Sequence, residues 1–459
     1  MQRSLDSTIT LRIVEDVAMK FMKSIQKGMY RMKEFTPLLQ IQHLGPIENC
    51  RISTNRMMVL DGPQATGKST IAKAIFFFRT VKDEIYKTFF TDSVDPVPEL
   101  NVRYYLLKKF HQMFDDSISL QKGTTLIYEY TSKTSLEISV DSMTGISLKL
   151  SHDILEWLEK YRYGTDKDIK HIYKELCTLF QDYHEIVYIP AGRSMLSIFT
   201  HQLNYILAVL NDKQKNLLDY CVVDYINRVL QLKPFFKPSL LGDGTDDSLL
   251  AKVMQTHNSN LVVAKHVKER LKRILKGEYS YINGEEQLKL VTSEGAKNIN
   301  INFASSGQQE ALWILNLLYY YIYEEQSCVF IIEEPEAHLY PDSQKEIAEY
   351  IALSLMQENE CIITTHSPYI LGTLNNLLDA NRLQEKGIDV SALLEKNSLI
   401  AQQLLRRDDF VAYFIDRGFV TDAMDEETGL IRNELIDGAS DKINRFADEL
   451  FDLERANNE

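Results

Sequence analysis

The chain has 459 residues, 44% of them hydrophobic, which is enough to bury a large core in one elaborate domain or two smaller ones. Fifty-one basic against 65 acidic residues give a formal charge of −14, which excludes a uniformly basic nucleic-acid coat and confines any DNA or RNA contact to a local patch. Five scattered cysteines without a CxxC spacing argue against a zinc site and for a reduced, cytoplasmic setting, while a charged N-terminus and an apolar run of only Ala311 to Tyr323 predict neither a signal peptide nor a membrane span.

Residues 1–36 carry Ile13, Val14, Val17, Ala18, Phe21, Met22 and Ile25 at helical spacing, which predicts an amphipathic N-terminal helix, docked on its own domain or on a second subunit. From Leu38 the pattern changes to short strands, "LLQIQ", "CRIS" and "RMMVL". The last runs into "DGPQATGKSTIAKAIFFF", which holds G-x-x-x-x-G-K-S between a strand and a helix, the context a phosphate-binding loop requires. Gly62, Pro63, Gln64, Ala65, Thr66, Gly67, Lys68, Ser69 and Thr70 are therefore the candidate nucleotide contacts. Backbone amides of the loop close around phosphates, Lys68 reaches the β- and γ-phosphates, and the Ser69 hydroxyl is placed for Mg²⁺.

Beyond the loop, "TTLIYEY", "SLEISV" and "ISLKL" predict antiparallel strands, and a helical stretch follows from Ile154 to about His184. "EIVYIP" reads as a buried strand ending at "AGRSM", where Arg193 either touches a phosphate or a partner or is an ordinary surface or ion-paired arginine. "LVVAKHVKERLKRILKGEY" is a helix rich in lysine and arginine from Lys265 to Lys276, more in keeping with a solvated face than with a track for a nucleic-acid backbone. "YSYINGEEQLKL" has an Asn-Gly turn and predicts a hairpin.

Three further segments belong with the phosphate loop. "FASSGQQEAL" sets polar residues before an apolar helix, "SCVFIIEEPEAHLYP" is an apolar strand ending at Glu333 and Glu334, and "CIITTHSPYIL" is another ending at His366. Ligands bind at strand ends in open parallel α/β sheets, so these groups point to one shared site. Glu333 is placed to hold Mg²⁺, Glu334 to orient and polarise an attacking water, and His366 to sense or stabilise a γ-phosphate.

"GPQATGKS", "SSGQQ", "FIIEEPEAH" and "TTHSP", in that order, resemble the Walker A, signature, Walker B and switch-histidine motifs of soluble ABC-type AAA family ATPases, the branch with SMC heads, RecF and the OLD family. The resemblance covers the sheet-forming parts of residues 37–375. It implies an α/β ABC-type P-loop ATPase head with an N-terminal antiparallel β part, a mostly helical insertion at about 151–277, and a small C-terminal α+β extension over 376–459. It implies ATP and Mg²⁺ as cofactors, catalytic roles for Glu334, Lys68 and His366, and contact of Ser305, Ser306, Gly307 and Gln308 with the ATP of another subunit. The start of the helix after Ser305 offers free amides and partial positive charge to an anion, which gives that contact a physical basis. Alanine and serine stand in place of the usual leucine and first glycine of the signature, and Glu333 in place of the usual Walker B aspartate.

From Ser367 onward there is no D-x-D, histidine or cysteine, which argues against an appended metal-dependent nuclease of the OLD type. Residues 421–459 hold 12 acidic and 4 basic side chains, so this tail repels nucleic acid. A complete ATPase site without effector chemistry resembles the sensor ATPases of bacterial anti-phage systems such as Septu and PARIS, which act with a separate nuclease or toxin. The expected function is an ATP-driven switch that dimerises or forms a higher homo-oligomer. The alternatives are a RecF-like DNA-repair clamp and an ATP-bound scaffold with negligible turnover.

Overall fold

The structure, a computed structural model, describes residues 35–91, 98–114, 120–141, 145–161, 169–194, 219–236, 260–292, 295–324 and 326–436, together with 438, 444 and 445. The expected N-terminal amphipathic helix and most of the acidic tail lie outside the described residues.

Strands β1 (Leu38–Leu44), β2 (Ile47–Ser53) and β3 (Met57–Asp61) lead into helix α1 (Lys68–Arg79). Helices α2 (Val81–Thr91) and α3 (Pro98–Met113) follow, then strands β4 (Leu120–Glu129), β5 (Ser135–Asp141) and β6 (Gly145–Leu150). Next come α4 (His152–Lys160), α5 (Ile169–Phe180), β7 (Glu185–Ile189), α6 (Tyr220–Leu232) and α7 (Asn260–Leu275). A three-stranded antiparallel sheet of β8 (Glu278–Ile282), β9 (Glu285–Thr292) and β10 (Gly295–Asn300) precedes α8 (Ser306–Tyr323). The chain continues through β11 (Cys328–Glu333), α9 (Pro341–Ser354), β12 (Glu360–Thr365), α10 (Pro368–Glu385), α11 (Ser391–Lys396), β13 (Phe410–Asp416) and β14 (Phe419–Asp422).

Eleven strands form one sheet in the order β6-β5-β4-β1-β2-β14-β13-β3-β12-β11-β7. Its first half, apart from β14, is the antiparallel part expected near the N-terminus, and β13, β3, β12, β11 and β7 run parallel. Every residue of β3, β11 and β12 is buried, as strands covered on both faces require. Met57 and Val59 join the core on one face with α8, α9 and α10, while Met58 and Leu60 join the core on the other with α1, α2 and α3.

The segment after 376 supplies β13 and β14 to the middle of this sheet, where β13 pairs parallel to β3 in the register Phe410 to Met57. The strand "FVAYFI" is legible in the sequence, but its neighbours are not, because strand propensity carries no information about which edge it joins.

Two buried charge networks fix the helices. Arg79, at the end of α1, donates to Asp182 at 2.6 and 3.2 Å and to Glu360 at 2.8 Å, tying α1 to the start of β12. Arg270 on α7 is fully buried and donates to Glu346 at 3.0 Å, to Glu349, and to the Ser398 carbonyl at 2.6 Å. Lys272 reaches Glu278 at 3.2 Å and Arg273 reaches Glu346 at 3.4 Å. The basic helix thus directs part of its charge to α9 and β8, so those side chains are neither simply solvated, as expected, nor free to track a phosphate backbone.

Candidate nucleotide site

The ends of three adjacent parallel strands, β3, β12 and β11, carry the Walker A loop, His366 and the Glu333–Glu334 pair. In the loop, Gly62 has φ 147° and a Cβ there would lie 2.2 Å from the Ile415 carbonyl oxygen, so the close approach of β13 demands glycine. Gly67, at φ 105°, caps α1 without a side-chain hydrogen bond, and the first turn holds no acidic residue. Its amides and positive dipole end are therefore left for an anion. Lys68 folds back to donate to the carbonyls of Gly62 at 2.6 Å and Pro63 at 2.7 Å, and Thr66 donates to Pro63 at 2.9 Å. Burial lowers the Lys68 pKa, opposed by the charges of Asp61, Glu334 and Glu336.

The Walker B strand ends in two different carboxylate environments. Glu333 is buried: one carboxylate oxygen accepts from the Ala191 amide at 3.1 Å, and the other, Oε1, has no partner of normal hydrogen-bond geometry among the described residues, although the buried Tyr188 hydroxyl lies near the carboxylate. Such an orphaned buried oxygen needs a compensating ligand. Hard oxygen donors suit Mg²⁺, so Glu333 and the exposed Ser69 hydroxyl fit the pair that would hold it. Among the described residues no three His, Cys, Asp or Glu side chains gather as a metal site, so phosphate and water would complete the ion's shell.

Glu334 adopts φ 42°, a left-handed conformation rare for a side-chain-bearing residue. Its amide donates to the Thr364 carbonyl at 2.9 Å, and its side chain is about a third exposed, open toward water. His366 Nδ1 lies 4.0 Å from Glu334 Oε1 and 3.5 Å from Glu336 Oε1.

Four participants were not singled out as site residues from the sequence, or not in the role the structure gives them. Glu336 is buried and accepts from the Thr365 hydroxyl at 2.7 Å and the His366 amide at 2.9 Å. Asp61 ends β3 beside the loop, where burial pushes its carboxyl up to about 6 against the pull of the Gly62 amide and Lys68. Arg193 is fully buried, and Glu310 on α8 is its ion-pair partner at 3.2 Å. A third carboxylate in "EEPEAH" was the available signal for Glu336; the others depend on burial that residue spacing does not reveal.

The Walker A residues, Glu333, Glu334 and His366 thus come together, whereas the signature segment forms a separate feature. The Ser305 hydroxyl caps α8 by accepting from the Gln308 backbone amide at 3.3 Å, and the Gln308 side-chain oxygen accepts from the Ser305 backbone amide at 3.0 Å, a complete capping box. Gln308 also donates to the Leu275 carbonyl at 2.7 Å. Ser305 and Ser306 remain exposed, and Phe303 just ahead of them is 84% exposed. A Cβ on Gly307 would meet the His338 carbonyl oxygen at 2.6 Å, so the helix start packs closely on the loop after Walker B.

A family model described as an AAA ATPase domain matches residues 39–371, and the chain belongs to that family. Its fold is a mixed α/β one with a P-loop at the end of a central parallel strand, and no described helix is long and apolar enough to cross a membrane. Among solved structures, an SMC head bound to the C-winged helix domain of ScpA is 12% identical, with 73% of this chain and 90% of that one covered at TM-score 0.37. The SMC head domain from Thermotoga maritima is 10% identical, with 73% and 90% covered at TM-score 0.33. The Smc head domain with an extended coiled coil bound to the C-terminal domain of ScpA from Pyrococcus furiosus is 12% identical, with 84% and 95% covered at TM-score 0.36. No curated protein matches the chain.

Proposed function

We propose that this AAA family ATPase binds ATP with Mg²⁺ between the Walker A loop of one subunit and the signature helix of another, and hydrolyses it to open the assembly. The observation that carries the reading is the division within one chain: Lys68, Glu333, Glu334 and His366 share one set of strand ends, while Ser305 stands exposed at the start of a different helix.

The chain's residues divide the work. The loop amides and Lys68 hold the phosphates, and Lys68 exchanges its contacts with the Gly62 and Pro63 carbonyls for contacts with the nucleotide. Mg²⁺, held by Ser69 and Glu333, would neutralise charge that builds on the β- and γ-phosphates. Glu334 orients the attacking water from its exposed position at the end of β11, and His366 holds a position from which it can meet the γ-phosphate. The exposed start of α8 contributes positive dipole and hydroxyls from the second subunit.

In the cell we assign the protein to the cytoplasm as the sensor ATPase of an anti-phage system, its nuclease or toxin being a separate chain. The switch is tested by Glu334→Gln in Mg²⁺ and ATP, with mass read by light scattering. The variant should accumulate as an ATP-loaded dimer or larger assembly, and wild type should return to the smaller form as ATP is consumed; equal masses with and without ATP would reject it. The defence role is tested by phage plating on cells carrying the gene and its neighbours, where Lys68→Ala should abolish protection.

A further inference from the structure

We propose that Arg193 and Glu310 form a relay within each subunit that couples its signature helix to its own Walker B carboxylates, so that the two ATP sites of a dimer fire together. The inference rests on the composite-site reading above and adds the residues that link one site to the other.

Arg193 uses its whole guanidinium fork. Nε donates to the Glu310 carbonyl at 3.0 Å, Nη1 to the carbonyls of Pro190 and Glu333 at 2.6 Å each, and Nη2 to the Glu334 carbonyl at 2.9 Å. In return, the Glu310 carboxylate accepts from the backbone amides of Arg193 at 3.0 Å and Ser194 at 2.9 Å. Two rigid elements are thereby joined through one side chain. One is α8, buried along most of its length and capped at Ser305, with Glu310 about one turn further on; its Trp313 indole also donates to the buried Glu286 at 3.1 Å. The other is the end of β11, where Glu334 holds a left-handed backbone that persists only if its surroundings fix it. Arg193 supplies one of those fixings, and the Thr364 carbonyl supplies another.

Each subunit presents Ser305 to its partner's ATP but Glu333 and Glu334 to its own. A displacement of α8 on engaging the partner's nucleotide therefore moves Arg193 and, with it, the carbonyls of the residues that hold the ion and orient the water. In a symmetric dimer each subunit carries the same link, so the connection runs in both directions. Lysine cannot replace the arrangement, because a point-like ammonium does not span four separate carbonyl groups in the plane of a guanidinium.

The test mixes chains. Lys68→Ala keeps its signature but lacks the phosphate contact, so a mixed dimer with wild type holds one competent site. In the wild-type background, coupled sites make turnover fall as the square of the competent fraction, to about a quarter at equal mixing, whereas with Arg193→Lys on both chains it falls linearly, to about a half of that background's own undoped rate. Glu310→Gln on both chains, which keeps the side-chain shape but cannot accept from both amides, gives the same linear curve and serves if Arg193→Lys fails to fold. Identical curves in all backgrounds would overturn the relay, since a merely structural arginine would lower the rate without changing the curve's shape. A linear wild-type curve in a protein whose Glu334→Gln form assembles with ATP overturns the relay alone. Absence of that assembly removes the relay together with the reading it rests on.

Discussion

Glu336 Oε1 accepts the His366 backbone amide at 2.9 Å and lies 3.5 Å from His366 Nδ1, so one buried carboxylate anchors the backbone of the histidine and faces its ring. The Thr365 hydroxyl donates to the same oxygen at 2.7 Å, locking the loop between β12 and α10 to the loop after β11. Partners of this kind orient a side chain that must meet a reacting group. His366→Ala is expected to lower ATP turnover by roughly 10- to 100-fold with nucleotide affinity retained, at the lower end of what a positioned polar group contributes. Glu336→Gln should lower it less and keep the fold. Equal turnover in His366→Ala and wild type would remove the histidine from the mechanism.

The close approach of Gly307 to the His338 carbonyl gives a second expectation. Gly307→Ala would put a Cβ only 2.6 Å from that carbonyl oxygen and must displace the backbone, at a cost of about 1–3 kcal/mol for an overpacked contact. Because the strain falls where the signature meets the loop after Walker B, turnover should drop while binding of ATP to the isolated subunit, measured with a fluorescent analogue, stays near wild type. Loss of binding together with turnover would place Gly307 in the wrong functional unit.

Asp61 makes stability depend on pH. Its carboxyl rises from the ordinary 3.8 to about 6, chiefly through burial, so protonation favours the folded chain. The stabilisation is fully present below 3.8 and is lost as pH rises through about 6, amounting to about 3 kcal/mol across the window. Asp61→Asn should cancel this component, gaining stability relative to wild type as pH rises from 4 to about 7 in denaturant titrations. A wild-type to variant difference that does not change over that range would contradict the assignment.

The Arg79 network has the opposite sign. Burial alone would raise the Asp182 carboxyl, but Arg79 and Lys82 overcome it and hold it well below the ordinary 3.8. Its contribution is present above 3.8 and is lost as pH falls toward the depressed folded value. Arg79→Met leaves Asp182 and Glu360 buried without their shared cation and should destabilise by about 3–5 kcal/mol at neutral pH. Thermal unfolding measures the loss, and a difference under about 1 kcal/mol would contradict a buried pair left without its cation.

The parts of this molecule that depend on local chemistry could be read from residue order. The phosphate loop, the buried strands before Glu333 and His366, and the Ser305–Gln308 spacing of a capping box are all short-range patterns. What could not be read depends on distant neighbours. Arg193 stands 117 positions from Glu310 and 141 from Glu334, and nothing in "AGRSM" specifies that its side chain turns inward. The place of β13 beside β3 has the same cause, since the Ile415 carbonyl that presses on Gly62 belongs to a strand far along the chain. The charges of α7 looked available in a list of lysines and arginines, but Glu346, Glu349 and Glu278 meet several of them.

The composite ATP site is tested most directly by Ser305→Arg, with mass and ATP turnover measured together against wild type and Lys68→Ala. Ser305 is exposed and its hydroxyl serves α8 at the surface, so the replacement should leave the subunit folded and its own Walker A loop able to bind ATP. The account predicts a variant that binds ATP, stays in the smaller form and does not turn ATP over. Turnover and ATP-driven assembly at the wild-type level would contradict it, leaving "SSGQQ" as a helix cap without a part in the partner's site.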